Sequence, residues 1–345
     1  MNLNKAANFF IVSISIVIIL IYGQNLIIPF VMGLLLWFVM RQMKAVLDMV
    51  PFIKNKIPSW LKTLVSSTLI LILAGILVEV LSSNINALSL SYQKYGANFD
   101  SVVQLINKKF DLNIIEDVKG KAGDFNFGAL LGAIFSSLSS IIGNTFMILI
   151  YTLFVVLEEA KFRDKLKMLF PDEEHFSKLY VMLNKIERSI SSYLGLKTFV
   201  SVITGTLSYI VLRIIGVDSP EFWAFLIFVL NFIPTIGSLI GTLFPAVFSL
   251  LQFGTLTPFL MILLFVGLIQ VIVGNILEPR LMGSSMNISP LVTIVALSFW
   301  GVVWGVVGMI LSVPITVIMI IVFSQFEQTK RIAILLSEKG IIDGK

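Results

Sequence analysis

The chain has no cysteine, a single histidine (His175), and charged side chains at only 13% of its 345 positions. Without cysteine there can be no disulfide framework, iron–sulfur cluster, cysteine-based zinc site or cysteine nucleophile. A single histidine in a polar stretch is expected to be solvated. The sequence also contains no Walker A loop, no dinucleotide-binding glycine fingerprint after a strand, and no His-Glu-x-x-His motif. We therefore expect no cofactor, no metal and no enzyme activity.

Apolar surface is what the chain has in excess. Hydrophobic residues make up 57% of the sequence and the mean hydropathy is +0.97, whereas soluble domains carry roughly 25% charged residues. A soluble fold could not cover this surface, but a lipid bilayer accepts it. The net charge is +5, yet Lys and Arg lie in short loops between apolar runs, as the positive-inside rule predicts. We expect a multi-spanning protein in a bilayer, with no nucleic-acid partner.

The first domain, residues 1–63, opens with two apolar runs at 9–22 and 26–40. Each is short for a span of roughly 20 residues. No small-x-small cleavage site follows the first run, which indicates a retained membrane segment rather than a signal peptide. The break at Gly23 predicts a tight helical hairpin. Residues 41–62 are basic and predict a cytoplasmic loop.

Residues 64–157 are predicted to form two spans on either side of a polar insert, 82–128. The balanced charge of the insert fits the outer side of the membrane and an extramembrane helical hairpin. Its apolar residues repeat with alternating spacings of three and four, which is a heptad pattern. This stripe either packs against the returning helix or makes a subunit contact. It consists of Ile85, Leu88, Tyr92, Tyr95, Phe99, Val102 and Ile106.

The next polar segment, 158–192, is cytoplasmic by its Lys and Arg content. After Pro171, acidic residues favour a helix start, and apolar residues then fall on one face, which predicts an interfacial amphipathic helix. A transport core follows over 193–323, and residues 324–345 form a cytoplasmic tail.

Two uncharged segments stand out in the core, 222–253 and 290–323. Each is too long for one straight span and suits two half-helices of roughly 15 residues. Both follow a Ser-Pro pair, contain a glycine-rich break and have a second proline near the end, so they form a weak internal repeat. Each segment either crosses once or re-enters as a hairpin, and re-entry is favoured. The fold class is therefore an all-α membrane protein with about six to eight membrane helices.

The two breaks, 231–241 and 301–308, are candidate binding sites. Broken helices at membrane depth free backbone N–H and C=O groups that can hold a substrate or ion. The alternative is that the glycines only allow close helix packing. The candidate residues at the breaks are Asn231, Pro234, Thr235, Gly237, Ser238, Gly241, Gly301 and Gly305.

A second polar cluster follows the span between the two segments. Glu278 could load and release a proton, and ionisable groups near the membrane indicate function by default. The alternative is a structural clamp between Glu278 and Arg280 on either side of a helix-stopping Pro279. Gln270 lies about one turn before Asn275 and is expected to face the same cavity.

These motifs resemble a known family. Residues 231–246 resemble the "IPxxGxxxGxxPA" signature, and residues 274–283 the "GNxxEPRxMG" signature, of the autoinducer-2 exporter (AI-2E) family. The resemblance implies a permease-like protein of the bacterial inner membrane and a homo-oligomer, for which a pentamer is one candidate. Some members export a small polar signal, and others look like cation/proton antiporters. Ser289 stands where members often have His, which removes one titratable group, and Ser238 stands where Pro is common.

Three functions remain open from the sequence. The first is a secondary transporter that exports a small polar, autoinducer-2-like solute with proton coupling. The second is a monovalent cation (Na⁺)/proton antiporter, and the third is a scaffold without transport activity. In each case both termini are expected in the cytoplasm. The variant Glu278→Gln separates them, because only a scaffold should be indifferent to it.

Overall fold

The computed structural model describes residues 3–58, 60–72, 75–76, 79–80, 83–84, 98, 127–282 and 287–340. Its secondary structure is helical, with no strand in these ranges. Within these ranges, five helices have the length and apolar composition to cross a membrane, and three shorter apolar helices accompany them. The protein is thus an all-α integral membrane protein. The predicted heptad stripe and most of the predicted extramembrane hairpin lie outside the described residues.

The chain divides into two compact units. Unit 1 comprises Met1–Thr68, Asn144–Leu196 and Met282–Lys345, and unit 2 comprises Leu69–Gly143 and Lys197–Leu281. The helices in chain order are α1 (Leu3–Tyr22), α2 (Gln24–Leu47), α3 (Pro51–Lys56), α4 (Trp60–Ile72), α5 (Phe127–Leu169), α6 (Glu173–Ile215), α7 (Pro220–Leu230), α8 (Ile236–Phe253), α9 (Leu256–Ile272), α10 (Glu278–Met282), α11 (Pro290–Ser324) and α12 (Lys330–Leu336). A π-helical segment, Val273–Leu277, joins α9 to α10.

The predicted N-terminal hairpin is not formed. The Gly23 N–H donates to the Ile19 carbonyl at 2.8 Å, and the Ile27 N–H donates to the Gly23 carbonyl at 3.0 Å. These i→i−4 hydrogen bonds carry the helical path through the junction. Helices α1 and α2 therefore follow one another through a bend at Gly23, whose φ and ψ are −86° and 4°.

Helices α5 and α6 contain 43 residues each. At a rise of 1.5 Å per residue each is about 65 Å long, roughly twice the thickness of the hydrocarbon core. Each helix therefore extends well beyond a single span. The polar residues 158–192 lie on the C-terminal part of α5 and the N-terminal part of α6. Glu173 and Glu174 occupy the first turn of α6, where the helix dipole favours negative charge.

Three helices of unit 1 are held together by an ionic cluster. The Trp37 indole of α2 donates to the Glu159 carboxylate of α5 at 2.6 Å. Arg41 reaches Glu159 at 3.0 Å and Glu187 of α6 at 2.9 Å. The arginine thus bridges carboxylates on two different helices, which ties α2 to both α5 and α6.

The first long segment folds back on itself. Helix α7 has 11 residues and is about 16 Å long, too short to cross a hydrocarbon core of about 30 Å. The Trp223 and Phe248 rings have centroids 5.0 Å apart, and a Cβ on Gly241 would lie 3.4 Å from Ile227. These contacts pair the start of α7 with the end of α8. Residues 220–253 therefore form an antiparallel helical hairpin, hairpin 1.

The second long segment also reverses. Within α11, Trp304 (φ −130°, ψ 18°) and Gly305 (φ 60°, ψ −140°) leave the helical conformation. A Cβ on Gly308 would lie 1.9 Å from the Trp300 carbonyl oxygen. In a continuous helix, residues eight apart are about 12 Å apart along the axis, so the chain turns back at this point. Residues 290–324 form hairpin 2.

Both hairpins begin where the sequence predicts, with Pro220 and Pro290 in the first turn. Proline suits this position because its missing N–H would be unpaired there in any case. The breaks are narrower than predicted. Irregular backbone is confined to residues 231–235 in hairpin 1 and to Trp304 and Gly305 in hairpin 2.

Hairpin 2 packs on an apolar cluster in unit 1. Trp300, Val303, Trp304 and Leu311 are buried against apolar residues of α1 and α2. The Trp304 indole N–H donates to the Leu20 carbonyl at 2.9 Å. The cluster is therefore apolar, and its tryptophan N–H is satisfied by backbone, as expected for a buried tryptophan. The buried hydroxyls of Ser312 and Thr316 in the second half-helix bond carbonyls of that helix.

Candidate functional site

A buried ion pair lies in unit 2. The Lys197 ammonium of α6 donates to the Glu278 carboxylate of α10, 81 residues along the chain. The two side chains are only 6% and 22% exposed. Taking both charges out of water is costly and is repaid only when they meet each other. Ionisable groups inside a membrane protein mark substrate or ion sites by default.

The π-helical segment Val273–Leu277 sets the direction of this carboxylate. The Glu278 N–H donates to the Val273 carbonyl, five residues back. Contrary to the prediction, Pro279 does not stop the helix, which continues to Met282. The wider π turn takes up one extra residue and so rotates Glu278 relative to α9 by about 100°. Such π turns occur frequently at functional sites.

The other members of this motif face elsewhere. Arg280 and Asn275 are exposed, and Arg280 makes no ion pair with Glu278 in the part of the chain that the structure describes. The alternative of a Glu278–Arg280 clamp is therefore wrong. Gln270 is buried at 8% exposure, so it does not share a cavity with Asn275. Five helical residues place two side chains about 140° apart.

The turn of hairpin 1 brings polar groups to the end of α7. Buried Asn231 donates its amide to the Ser201 hydroxyl of α6 at 2.9 Å. Thr235 is exposed with φ at 61°, and its carbonyl accepts the Ser238 hydroxyl at 2.9 Å. The Pro234 carbonyl accepts the Ile236 N–H at 2.6 Å. A β-branched residue at positive φ is an outlier, and such strain clusters at functional sites.

Gln270 lies beneath hairpin 1. A Cβ on Gly241 would sit 3.4 Å from the Gln270 amide nitrogen and 3.4 Å from Ile227. That nitrogen is buried and has no hydrogen-bond partner among the described residues. Buried polar atoms are nearly always paired, so an unpaired amide needs an explanation. Gly241 therefore leaves room for a polar group that the fold itself does not satisfy.

The remaining glycines serve packing and turning. A Cβ on Gly237 would lie 1.8 Å from the Leu230 carbonyl oxygen, and one on Gly301 would lie 3.0 Å from Met309. These contacts favour the close-packing alternative. Gly305 has positive φ in the turn of hairpin 2. Gly301 and Gly305 have no side chain and therefore add no polar side-chain group to the apolar cluster of unit 1.

Comparison with known proteins identifies the family. The model of the AI-2E family transporters matches residues 9–328.

The chain belongs to the AI-2E transporter family.

The AI-2 transport protein TqsA of Escherichia coli (strain K12) is 29% identical over 323 residues, which cover 92% of this chain and 91% of that protein. A protein of Haemophilus influenzae, named only as a candidate transport protein, is 27% identical over 342 residues, which cover 95% of this chain and 96% of that protein. Another such protein, from Borreliella burgdorferi, is 36% identical over 243 residues, which cover 68% of this chain and 64% of that protein. This AI-2E family member is therefore a multi-pass membrane transporter.

Lys197 and Ser201 of this AI-2E family member were not predicted from the sequence as site residues. Lys197 lies near the start of the predicted transport core, 193–323, and a lysine at the end of a span normally reaches the interface. A signal was present: Lys197 and three hydroxyl residues recur at helical spacing in an otherwise apolar run. Among the described residues, no group of three His, Asp or Glu side chains could hold a metal ion.

Proposed function

We propose that this AI-2E family member is a secondary carrier that exports a small polar solute, such as autoinducer-2, with proton coupling at Glu278. The observation that carries the proposal is the buried Lys197–Glu278 pair; among the described residues, Lys197 and Lys62 are the charged residues that are buried. Family membership and the name of TqsA support the solute class.

The pair couples protonation to a structural change. A proton on Glu278 removes the negative charge that holds the Lys197 ammonium. An unpaired ammonium in an apolar interior is strongly disfavoured, so protonation shifts the balance between conformations that differ in the exposure of Lys197. The amides of Asn231 and Gln270 both donate and accept hydrogen bonds. They suit a solute that carries hydroxyl and carbonyl groups.

The test uses purified full-length protein in proteoliposomes with an imposed pH gradient and labelled autoinducer-2. Wild type should move the solute in proportion to the gradient, and Glu278→Gln should abolish the dependence on the gradient. The matched control is Glu174→Gln, because Glu174 pairs with Lys178 on an exposed surface of α6. That variant should behave as wild type. Solute movement that stays gradient-dependent in Glu278→Gln would disprove coupling at this residue.

A second candidate function is monovalent cation/proton antiport. The structure shows that the Glu278 carboxylate holds a monovalent cationic group, the Lys197 ammonium, and a sodium ion carries the same charge. The parallel experiment adds sodium to proteoliposomes that contain a pH-sensitive dye and no autoinducer-2. A dye response without solute movement would favour antiport. If wild type moves neither solute nor protons, a scaffold without transport activity becomes the better proposal.

We also propose that the protein lies in the bacterial inner membrane as a homo-oligomer, with a pentamer as one candidate, and with both termini in the cytoplasm. The basic segment 41–62 supports this orientation by the positive-inside rule. Because the chain has no cysteine, a single cysteine at exposed Lys339 reports the side of the C-terminus. Labelling from the outside of intact cells would contradict the orientation, and native mass measurement gives the subunit number.

A further inference from the structure

The buried face of α6 carries a line of polar side chains. Lys197, Ser201, Thr204 and Ser208 are spaced by four, three and four residues, which places them on one face of an α-helix. All four are buried, and the three hydroxyl residues are fully so. Thr206, on the same stretch of helix, is exposed. The four buried polar residues thus share the inner face over about 16 Å of helix.

This face packs against α7 within unit 2. Ser201 accepts the Asn231 amide at 2.9 Å, and a Cβ on Gly205 would lie 3.2 Å from the Ala224 carbonyl oxygen. Further along, the Tyr209 hydroxyl reaches Glu221 at 3.3 Å. The line of hydroxyls is therefore enclosed between two helices, with Lys197 and Glu278 at one end.

Close packing explains part of this line but not all of it. Small residues let helices approach, and a threonine commonly bonds its own helix, as Thr204 does with the Val200 carbonyl at 2.9 Å. Ser208, however, has a fully buried hydroxyl without a hydrogen-bond partner among the described residues. An alanine there would pack equally well without the cost of an unpaired polar group.

We propose that the line from Ser208 through Thr204 and Ser201 conducts protons to Glu278; this inference rests on the proposed proton-coupled function. A hydroxyl accepts a proton on one lone pair and releases its own to the next group. Side chains one turn apart on a helix have Cβ atoms about 5–6 Å from each other, so the path requires one bridging water at each step. A proton that enters at Ser208 leaves one neutral carboxylic acid at Glu278.

The charged groups at the two ends differ. Lys197 faces Glu278 at one end. At the other end Arg213 lies 3.6 Å from Glu221 and binds the Tyr209 hydroxyl at 2.9 Å. The Arg213 and Glu221 side chains are 66% and 40% exposed, so this end of the line reaches the protein surface, whereas the three hydroxyls between the ends are uncharged. The path thus joins an exposed polar entrance to a buried acid.

The test compares Thr204→Val with Thr206→Val, the same substitution on the buried and exposed sides of α6. Proteoliposomes of the full-length protein are assayed in two ways. One assay follows exchange of labelled autoinducer-2 at equal concentrations on both sides, which needs no net proton movement. The other follows the rate of proton movement driven by an autoinducer-2 gradient, with an internal pH dye.

Thr204→Val should lower the proton rate about ten-fold and leave exchange within about two-fold. Thr206→Val should match wild type in both assays, and Thr204→Ser should restore the proton rate. Ser208→Ala provides a second variant, because removal of an unpaired hydroxyl should not impair folding. It should lower the proton rate in the same way.

Two results from the variants would overturn the path. One is an unchanged proton rate in both Thr204→Val and Ser208→Ala. The other is an equal loss of exchange and proton movement, which would mean that the residues serve packing. Wild-type exchange without any proton movement would overturn the path and leave a carrier standing. Failure of wild type in both assays would overturn the proposed function and the path together.

Discussion

Hairpin 1 and hairpin 2 share a backbone plan and differ in the chemistry of their interiors. Each begins at a proline, reverses in a turn with one residue near φ +60°, and closes on a glycine that faces a carbonyl of the preceding half-helix. Hairpin 1 carries buried Asn231 and covers Gln270 in unit 2. Hairpin 2 encloses a cluster built on Trp300 and Trp304 in unit 1.

The difference separates a structural role from a chemical one. Backbone breaks alone suggest two equivalent binding sites, because both free hydrogen-bonding groups. The buried hydroxyls of hairpin 2, Ser312 and Thr316, bond their own helix, whereas the surroundings of hairpin 1 supply buried amides and a charge pair. A break in a membrane helix is therefore a means to turn the chain, and the residues around it decide whether it forms a site.

The largest expected effect concerns the charge pair of unit 2. Lys197→Met leaves Glu278 without its partner and should destabilise the protein by about 3–5 kcal/mol, whereas Lys197→Met/Glu278→Gln should recover most of this loss. In hairpin 2, Trp304→Phe removes the hydrogen bond to Leu20 and part of a buried ring, and should cost about 2 kcal/mol. Thermal unfolding in detergent measures all three. A double variant no more stable than Lys197→Met would contradict the assignment.

The closing glycines should be equally intolerant in the two hairpins. A Cβ at Gly237 or Gly308 would fall within 2 Å of a backbone oxygen, so alanine at either position should cost about 3 kcal/mol. The control is Gly143→Ala in α5, where a Cβ meets nothing within 4 Å. It should be neutral or slightly stabilising. A tolerated alanine at one closing glycine only would break the similarity between the hairpins.

Reciprocal substitutions at Thr235 and Gly305 compare the backbone strain in the turns of the two hairpins. Thr235 and Gly305 have φ of 61° and 60°, a conformation that is costly for a β-branched residue and mild for glycine. Thr235→Gly should raise stability by about 1 kcal/mol, and Gly305→Thr should lower it by about 1–3 kcal/mol. Thermal unfolding in detergent measures both changes in stability. A destabilised Thr235→Gly would show that the threonine side chain contributes more than its strained backbone costs.

The smallest expected effect on stability concerns the exposed Asp172–His175 pair, which lies outside both hairpins. The hydrogen bond with His175 holds the pKa of the Asp172 carboxyl below its ordinary value. A lowered pKa stabilises the folded state at neutral pH, and this contribution is lost as the pH falls through the folded-state pKa. Both groups are exposed, so His175→Ala should shift Tm by less than about 1 °C at pH 7. The shift should diminish as the pH falls through the folded-state pKa of Asp172. A larger shift at pH 7 would mean that this pair is not a surface contact.

Local signals in the sequence predicted the elements that depend on local physics. The start of each hairpin at Pro220 and Pro290 follows from the fixed φ and missing N–H of proline. The prediction of a hairpin at Gly23 was wrong, since glycine permits a turn without requiring one. The width of each break depends on how closely two half-helices meet, which is a tertiary property.

The charge pair was beyond local prediction. Glu278 stood out from the sequence because it is acidic and follows an apolar run, but its partner lies 81 residues earlier. Pairings across that distance depend on how helices pack, and a single sequence carries no record of them. Arg280 was the nearest cation in the chain, and proximity in sequence gave the wrong partner.

The π-helical segment has a consequence for how the chain tolerates changes in length. Removing one residue from Val273–Leu277 would restore ordinary α-helical winding and leave Glu278 facing Lys197, whereas ordinary α-helical winding of all five residues would swing its azimuth by about 100°. Every side chain named in the motif would still be present. The number of residues in the segment, rather than their identity, thus sets the orientation of Glu278. A scan of single substitutions would therefore not detect this requirement.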